Sequence, residues 1–507
     1  MSLKRNTIAN YIGQGYTALV GIVVMPLYLK YLGAEAFGLV GFFVLLQAWL
    51  NLLDFGLSPT LARQVAVARG LRNGLKDFGK LLRSFETIFL LVATTIGVSV
   101  FLSSSWIADE WIDSRSIPKE TIAFCVALMG VSGGLRLFAS LYRSGLTGAE
   151  DQVWLNIANI AIVSMRFIGA FLLMRFVSTE VRIFFEYQVI IGVAEIIVLA
   201  ARFYKNLAIN PVHLALGIHW PSMRAIAPFA SGIAYSAAIW ITITQVDKII
   251  LSGVLPLDEF GYFSIVSLIA GGIMVATAPI AQAIMPRMTN LLVQGEKNKA
   301  LQIYRNASQL VTVIAFSIAL ITGFFADALI YAWTGDGVAA EWGGDVLLWF
   351  ALGNGVLALS AFQYYLQNSF GQLRLHVVGS TISAICQVPI IYYAATRYGA
   401  VGAGIAWFGI RVVWLMGWMP IVHRTLVPGL HFNWFVKDVL PVVLVSAVSI
   451  AVLNGLVRID LATGRMAIIG YLILLGSTQL LVAAISSNFI RSRISQYVYR
   501  ERRVFKI

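Results

Sequence analysis

Residues 8–29, IANYIGQGYTALVGIVVMPLYL, run 22 positions without a charged side chain. A surface helix of a soluble protein would place charge on its water-facing side at nearly every turn. An uncharged, largely apolar run of about 20 residues rises about 30 Å as a helix, the thickness of the hydrocarbon core of a bilayer. The stretch therefore reads as a membrane span. The basic MSLKRNT precedes it and no small-residue cleavage site follows, so it reads as a retained span and not a cleaved signal.

The same criterion carried along the chain predicts fourteen spans, centred near Val20, Ala48, Ala93, Met129, Met165, Glu195, Ala238, Ile273, Ser317, Leu357, Ile385, Ile410, Ala447 and Leu475. Each must be helical, because an open strand in lipid leaves backbone groups unpaired at several kcal/mol each. The runs are continuous and not alternating, which excludes a membrane barrel. Composition agrees: 59% of the 507 residues are hydrophobic and 12% charged, with a mean hydropathy of +0.81. A soluble surface needs roughly a quarter charged residues. No stretch between runs is long enough for a folded extramembrane domain. The expected fold is an all-α polytopic membrane protein.

The net charge of +13 raises the question of nucleic acid, and its placement answers it. With the N-terminus in the cytoplasm, cytoplasmic segments hold 24 of the 37 Lys and Arg, external loops hold 7, and spans hold 6. The loop from Arg63 to Arg83 and the tail from Arg491 to Lys506 are the densest basic segments. This asymmetry places both termini inside. It accounts for the excess charge through topology and anionic headgroups, with no nucleic-acid partner. The two cysteines, Cys125 and Cys386, both fall in apolar runs and read as buried small hydrophobes, not a disulfide or a metal site.

An internal repeat divides the chain. LGAEAFGLVGFF, before the second span, resembles LPLDEFGYFSIV, before the eighth, with Phe37-Gly38 matching Phe260-Gly261 at an offset of 223. Arg63 in SPTLARQ lies 224 before Arg287 in AIMPRMT. Two landmarks at nearly one offset predict two related six-helix lobes, residues 1–210 and 211–425, repeated in parallel. Two more helices and a basic tail, residues 426–507, follow.

Enzyme signatures are missing: no G-x4-GK loop, no HExxH and no G-x-S-x-G elbow. Gly399, Gly402 and Gly404 of YGAVGAGIAW open an apolar span and read as helix-packing residues. His213, His219, His376, His423 and His431 lie in or beside cytoplasmic loops and read as interfacial. No cofactor or metal is expected. The informative residues are charges at membrane depth, where each costs about 2.5–3.5 kcal/mol unless it faces a cavity or a partner. Arg166 and Glu195 are central in the fifth and sixth spans, which form one hairpin. Arg411 is central in the twelfth. Arg136 lies in the fourth, with Arg143 seven residues on and on roughly the same face. Asp54 is in the inner half of the second span, and Asp247-Lys248 at the outer end of the seventh. Glu86, three residues after Arg83, reads as an interfacial ion pair. Arg166 and Glu195 can neutralise each other, yet Arg136, Arg166, Lys248 and Arg411 exceed what one central carboxylate balances. The surplus points to an anionic substrate. Pro26, Pro59, Pro228, Pro279, Pro389, Pro420 and Pro441 lie in or at the ends of spans, where each can bend a helix.

NTIANYIGQGYTALVGIVVMPLYLKYLGAEAFGLV, followed by LLDFGLSPTLARQVA, resembles the polysaccharide-biosynthesis flippases of the MOP exporter superfamily, the Wzx-type O-antigen and capsule translocases. QVDKIILSGVLPLDEFGYFSIVS and RYGAVGAGIAWFGIR extend the resemblance over roughly residues 1–425. It implies a MATE-like fold, with two six-helix lobes around a cationic cavity that opens alternately to each leaflet. The implied cargo is an undecaprenyl-pyrophosphate-linked oligosaccharide moved from the cytoplasmic to the periplasmic leaflet of a bacterial inner membrane. The implied partners are a polymerase and other polysaccharide-assembly proteins. Cargo-binding cations would then be Arg136, Arg166, Lys248 and Arg411, with Asp54, Glu195 and Asp247 as coupling or ion-pair acids. Alternatives are a multidrug or small-molecule exporter of the same superfamily, a lipid II flippase and a polytopic glycosyltransferase or polymerase. Many relatives have about twelve spans, and the last two helices here keep the lipid II comparison open.

Overall fold

A backbone in hydrocarbon must satisfy its own polar groups, and the helix does so within each segment. The computed structural model describes residues 3–70, 74–207 and 216–493, and no strand occurs among them. Among the described residues, thirteen helices are long and apolar enough to cross a membrane. The fourteenth expected span lies inside a double-length helix, Arg374–Leu426, which contains both Ile385 and Ile410. Two helices join there across a kink at Gly399 (φ 62°, ψ −151°), a backbone conformation open to glycine and strained for other residues. Gly402 and Gly404 do serve packing: a Cβ on Gly404 would come within 2.9 Å of Trp349.

The chain divides into two compact units, residues 1–261 and 262–507. The first contains α1 (Leu3–Leu32), α2 (Ala34–Leu50), α3 (Leu57–Gly70), α4 (Gly74–Trp106), α5 (Lys119–Gly148), α6 (Gln152–Val163), α7 (Ala170–Phe176), α8 (Val181–Leu207), α9 (Trp220–Val254) and the start of α10 (Leu257–Val293). α4 and α5 pair along their length, and with α3 and α8 they enclose Leu61, Val65, Leu82, Phe85, Leu141 and Phe203. The LLDFGLSP stretch is a helix break. After a 3-10 turn at Asn51–Asp54, Phe55 (φ 48°) and Gly56 (φ 69°) reverse the backbone and α3 restarts. Glu86 is buried on α4 and is not an interfacial ion pair alone: it accepts from Arg83 at 2.5 Å, from Tyr142 at 3.0 Å and from Tyr204.

The second unit is organised around α11 (Lys297–Phe324), the most enclosed span. α12 (Ala326–Thr334), α13 (Gly337–Ser360), α14 (Phe362–Ser369) and α15 (Arg374–Leu426) follow, with α13 between α11 and α15. α16 (Leu430–Trp434), a π turn at Phe435–Val439, α17 (Leu440–Leu456) and α18 (Arg465–Ser486) complete it. α17 and α18 pack on α11. Buried Asp438 accepts from Arg305 at 2.9 Å and Gln309 at 2.8 Å, and Gln309 in turn accepts from Ser487 at 2.9 Å. Hydrogen bonds thus fasten both C-terminal helices to this unit.

Two expectations need correction. Cys125 is buried, but Cys386 is exposed on the surface of the chain, at a span position where hydrocarbon is an apolar enough surrounding. His423 is not a surface side chain: it is fully buried in the protein, with Nε2 2.7 Å from the Tyr304 hydroxyl and Nδ1 3.2 Å from His431. The cause is the turn at residues 427–429, which folds α16 back against the end of α15. His213 lies outside the described residues.

Candidate functional site

Glu195 on α8 sits between two arginines. Its Oε1 accepts from Arg143 Nη2 of α5 at 2.6 Å, and its Oε2 from Arg166 Nη2 at 2.8 Å. Helical periodicity explains the encounter: α5 and α8 pack along their length, and Arg166 comes from the neighbouring α6–α7 span. Arg143 also donates to Asn159 Oδ1 at 2.8 Å. Arg136, two turns earlier on α5, donates to Gln47 Oε1 of α2 and lies within electrostatic reach of Arg166, Arg143 and Glu195. Two guanidinium groups therefore bind one carboxylate inside the first unit, with a third within its field. Arg166 and Glu195 are buried, at 5% and 7% side-chain exposure, whereas Arg143 is 35% exposed. Arg143 is the open face of the cluster. Its part in this cluster was not singled out from sequence; its register with Arg136 was the available signal.

Arg166 occupies an irregular backbone. Residues Ser164–Gly169 form a π turn between α6 and α7 within one span, Gln152–Phe176. Such bulges release carbonyls from the ordinary helical ladder. Here three successive ones are claimed by side chains from neighbouring helices. Met165 O accepts from Tyr187 at 2.7 Å, Arg166 O from Gln188 at 3.2 Å, and Phe167 O from Tyr28 at 2.9 Å. Gly169 makes room for this, because a Cβ there would overlap the Tyr187 hydroxyl. The bulge, pinned by α1 and α8, sets the direction in which Arg166 leaves the helix.

The other expected residues bond to partners of their own. Lys248 donates to the Thr244 carbonyl at 2.9 Å and to Asp247 at 3.2 Å, with Asp247 buried. Asp54 caps α3, accepting from the Ser58 amide at 3.2 Å and the Ser58 hydroxyl at 2.5 Å. Arg411, in the second unit, is 3% exposed; it donates to Gln387 at 3.0 Å and lies 4.0 Å over the Trp407 ring. Desolvated contacts of that kind contribute about 2 kcal/mol.

The sequence profile of the polysaccharide biosynthesis protein family matches residues 3–292. The chain belongs to this family. A Shigella flexneri protein named "Putative O-antigen transporter" is 20% identical over 416 residues, 82% of this chain and 96% of its own length. A protein of the same name from Escherichia coli (strain K12) is 26% identical over 343 residues, 64% of this chain and 74% of its own. Among solved structures, the lipid II flippase MurJ in an inward closed conformation matches with a TM-score of 0.70, covering 96% of this chain and 99% of that one at 14% identity. An inward-facing multidrug resistance MATE family transporter of the MOP superfamily gives 0.65, covering 81% and 96% at 14% identity. The two likenesses establish for this family member a MATE-like, MurJ-like helical fold.

Proposed function

We propose that this protein is a flippase. It carries an undecaprenyl-pyrophosphate-linked oligosaccharide from the cytoplasmic to the periplasmic leaflet of a bacterial inner membrane by alternating access, and does no chemistry on it. Family membership and the names of the two curated relatives support the class of cargo. The observation that carries the assignment of a site is the imbalance of charge in the first unit: Arg136, Arg143 and Arg166 against Glu195. Three cations gathered around one carboxylate leave positive charge uncompensated, and that surplus needs an anion from elsewhere. Two buried donors beside it, Arg166 Nη1 and Gln47 Nε2, have no hydrogen-bond partner among the described residues. A pyrophosphate supplies both charge and acceptors. Arg143, the open member, makes the first contact. Arg136 and Arg166 deepen the positive field, and Glu195 orients the two arginines it binds. Lys248 and Arg411, each held by partners of its own, have structural roles in this scheme. A cation exporter would need the opposite sign in its binding region.

Both termini are cytoplasmic in this proposal, which puts residues 113–118 on the periplasmic side. The lipid tail stays in the bilayer while the sugar crosses, because each unpaired sugar hydroxyl costs several kcal/mol in hydrocarbon. The test is surface polysaccharide display in cells carrying only Arg143→Ala or Arg143→Lys, with membrane abundance measured on the same cultures. Alanine should abolish display at near-normal abundance, and lysine should retain part of it, since charge survives although the bidentate fork is lost. Full display by a well-expressed Arg143→Ala protein overturns the site.

A further inference from the structure

The two repeated stretches, GAEAFG at 33–38 and PLDEFG at 256–261, open α2 and α10, and the structure brings them into contact. A Cβ on Gly38 would overlap the carbonyl oxygen of Leu257. A Cβ on Gly261 would overlap the carbonyl oxygen of Ala34 and lie 3.2 Å from the Gly38 amide nitrogen. At the repeat offset of 223, Leu257 corresponds to Ala34 and Gly261 to Gly38. The contact is therefore reciprocal, the pattern of a two-fold junction in which each element meets the other through the same surface.

One loop holds both sides. Glu35, in the first turn of α2, accepts from the amides of Arg115 at 2.9 Å, Ser116 at 3.1 Å and Ile117 at 3.2 Å. Asp258, its counterpart at the same offset in α10, pairs with Arg115 at 3.2 Å. The Leu257 amide donates to the Asp113 carbonyl at 2.7 Å. Loop 113–117 thus grips the equivalent first turns of two helices.

We infer that residues 113–117 are a strap that keeps the outer ends of α2 and α10 together, and that the glycine junction it holds parts and re-forms in each transport cycle. Two features separate this from a permanent helix seam. Facing glycines let the two backbones meet with the Leu257 side chain seated on Gly38, a contact surface on which one helix can move against the other. The strap's ion pair is open to solvent, with Arg115 62% and Asp258 26% exposed, and exposed pairs hold weakly. The inference rests on the flippase reading only for what drives the opening.

The test uses a Cys125→Ser/Cys386→Ser background with Ser140→Cys as a reporter on α5, one turn from both Arg136 and Arg143. Spheroplasts are treated with a membrane-impermeant thiol reagent. Glu35→Gln and the Gly38→Ala/Gly261→Ala pair, each at measured abundance, should raise reporter labelling several-fold by shifting the protein toward the outward-open form. In a second arm, without the reporter, Arg115→Cys and Asp258→Cys are bridged with a bis-methanethiosulfonate reagent. Bridging should abolish polysaccharide display, and a reductant should restore it. Unchanged labelling in both the Glu35 and the glycine variants overturns the strap, as does full display by bridged protein. Labelling that responds as expected in a protein dispensable for polysaccharide display would uphold the strap and overturn the flippase reading instead.

Discussion

Glu195→Ala is the most informative single change, because it removes the carboxylate that pairs with Arg143 and Arg166 and lies in the field of Arg136. Arg166, 5% exposed, would keep its charge with no acid beside it, while Arg143, 35% exposed, can turn toward water and loses little. Deleting one partner of a buried ion pair costs about 3–5 kcal/mol. Polar contacts within membrane bundles tend to re-pair, which favours the lower end. A loss of about 3 kcal/mol corresponds to a fall of about 6–12 °C in the thermal midpoint for units of this size. The assay is thermal denaturation of detergent-purified protein, followed by the surviving monodisperse fraction. Glu195→Gln should fall less, because the amide still accepts a hydrogen bond. The double variant Glu195→Gln/Arg166→Gln should regain part of the loss, since it also removes the buried guanidinium that the single change orphans; the double-mutant cycle isolates that coupling. A Glu195→Ala protein that melts with the wild type, or a double variant whose loss equals the sum of the singles, refutes the account.

Arg411→Ala should reduce membrane abundance, with a stability loss of about 2 kcal/mol from the Trp407 contact, whereas a stable variant with normal abundance but no display would move Arg411 into the cargo site. Asp438→Ala removes a charge-assisted contact to Arg305 and the acceptor for Gln309, and should cost about 1.5–3 kcal/mol; limited proteolysis should then cut near residues 427–440 sooner, and wild-type resistance there would contradict the fastening role. Gly169→Ala displaces the Tyr187 hydroxyl from the Met165 carbonyl and should cost about 1–3 kcal/mol in the same melting assay, a loss that Tyr187→Phe in addition should not deepen. Reporter fusions after Lys80 and at the C-terminus should both read cytoplasmic, and a periplasmic signal at either would overturn the proposed orientation.

The all-helical fold follows from sequence alone, because hydrocarbon leaves a spanning backbone almost no alternative. The expected centres Ile385 and Ile410 fell inside one double-length helix whose kink is at Gly399. The proximity of Arg166 and Glu195 was also legible, since two mid-span residues on consecutive antiparallel helices share a depth. Side-chain direction was not. That Arg143 reaches both Glu195 and Asn159 depends on helix rotation, which packing between α5, α6 and α8 decides. Three carbonyls of the π turn that carries Arg166 accept from Tyr187, Gln188 and Tyr28, on two other helices, and no local propensity encodes those contacts. Asp54 shows the converse. It read as a membrane-depth acid by position, yet the left-handed pair Phe55 and Gly56 ends the helix there and turns its carboxylate to a cap. The repeat at offset 223 was visible as a pattern of letters. Only the fold placed Gly38 and Gly261 backbone to backbone, because contact between residues more than 200 positions apart is a property of how helices assemble and not of any one of them.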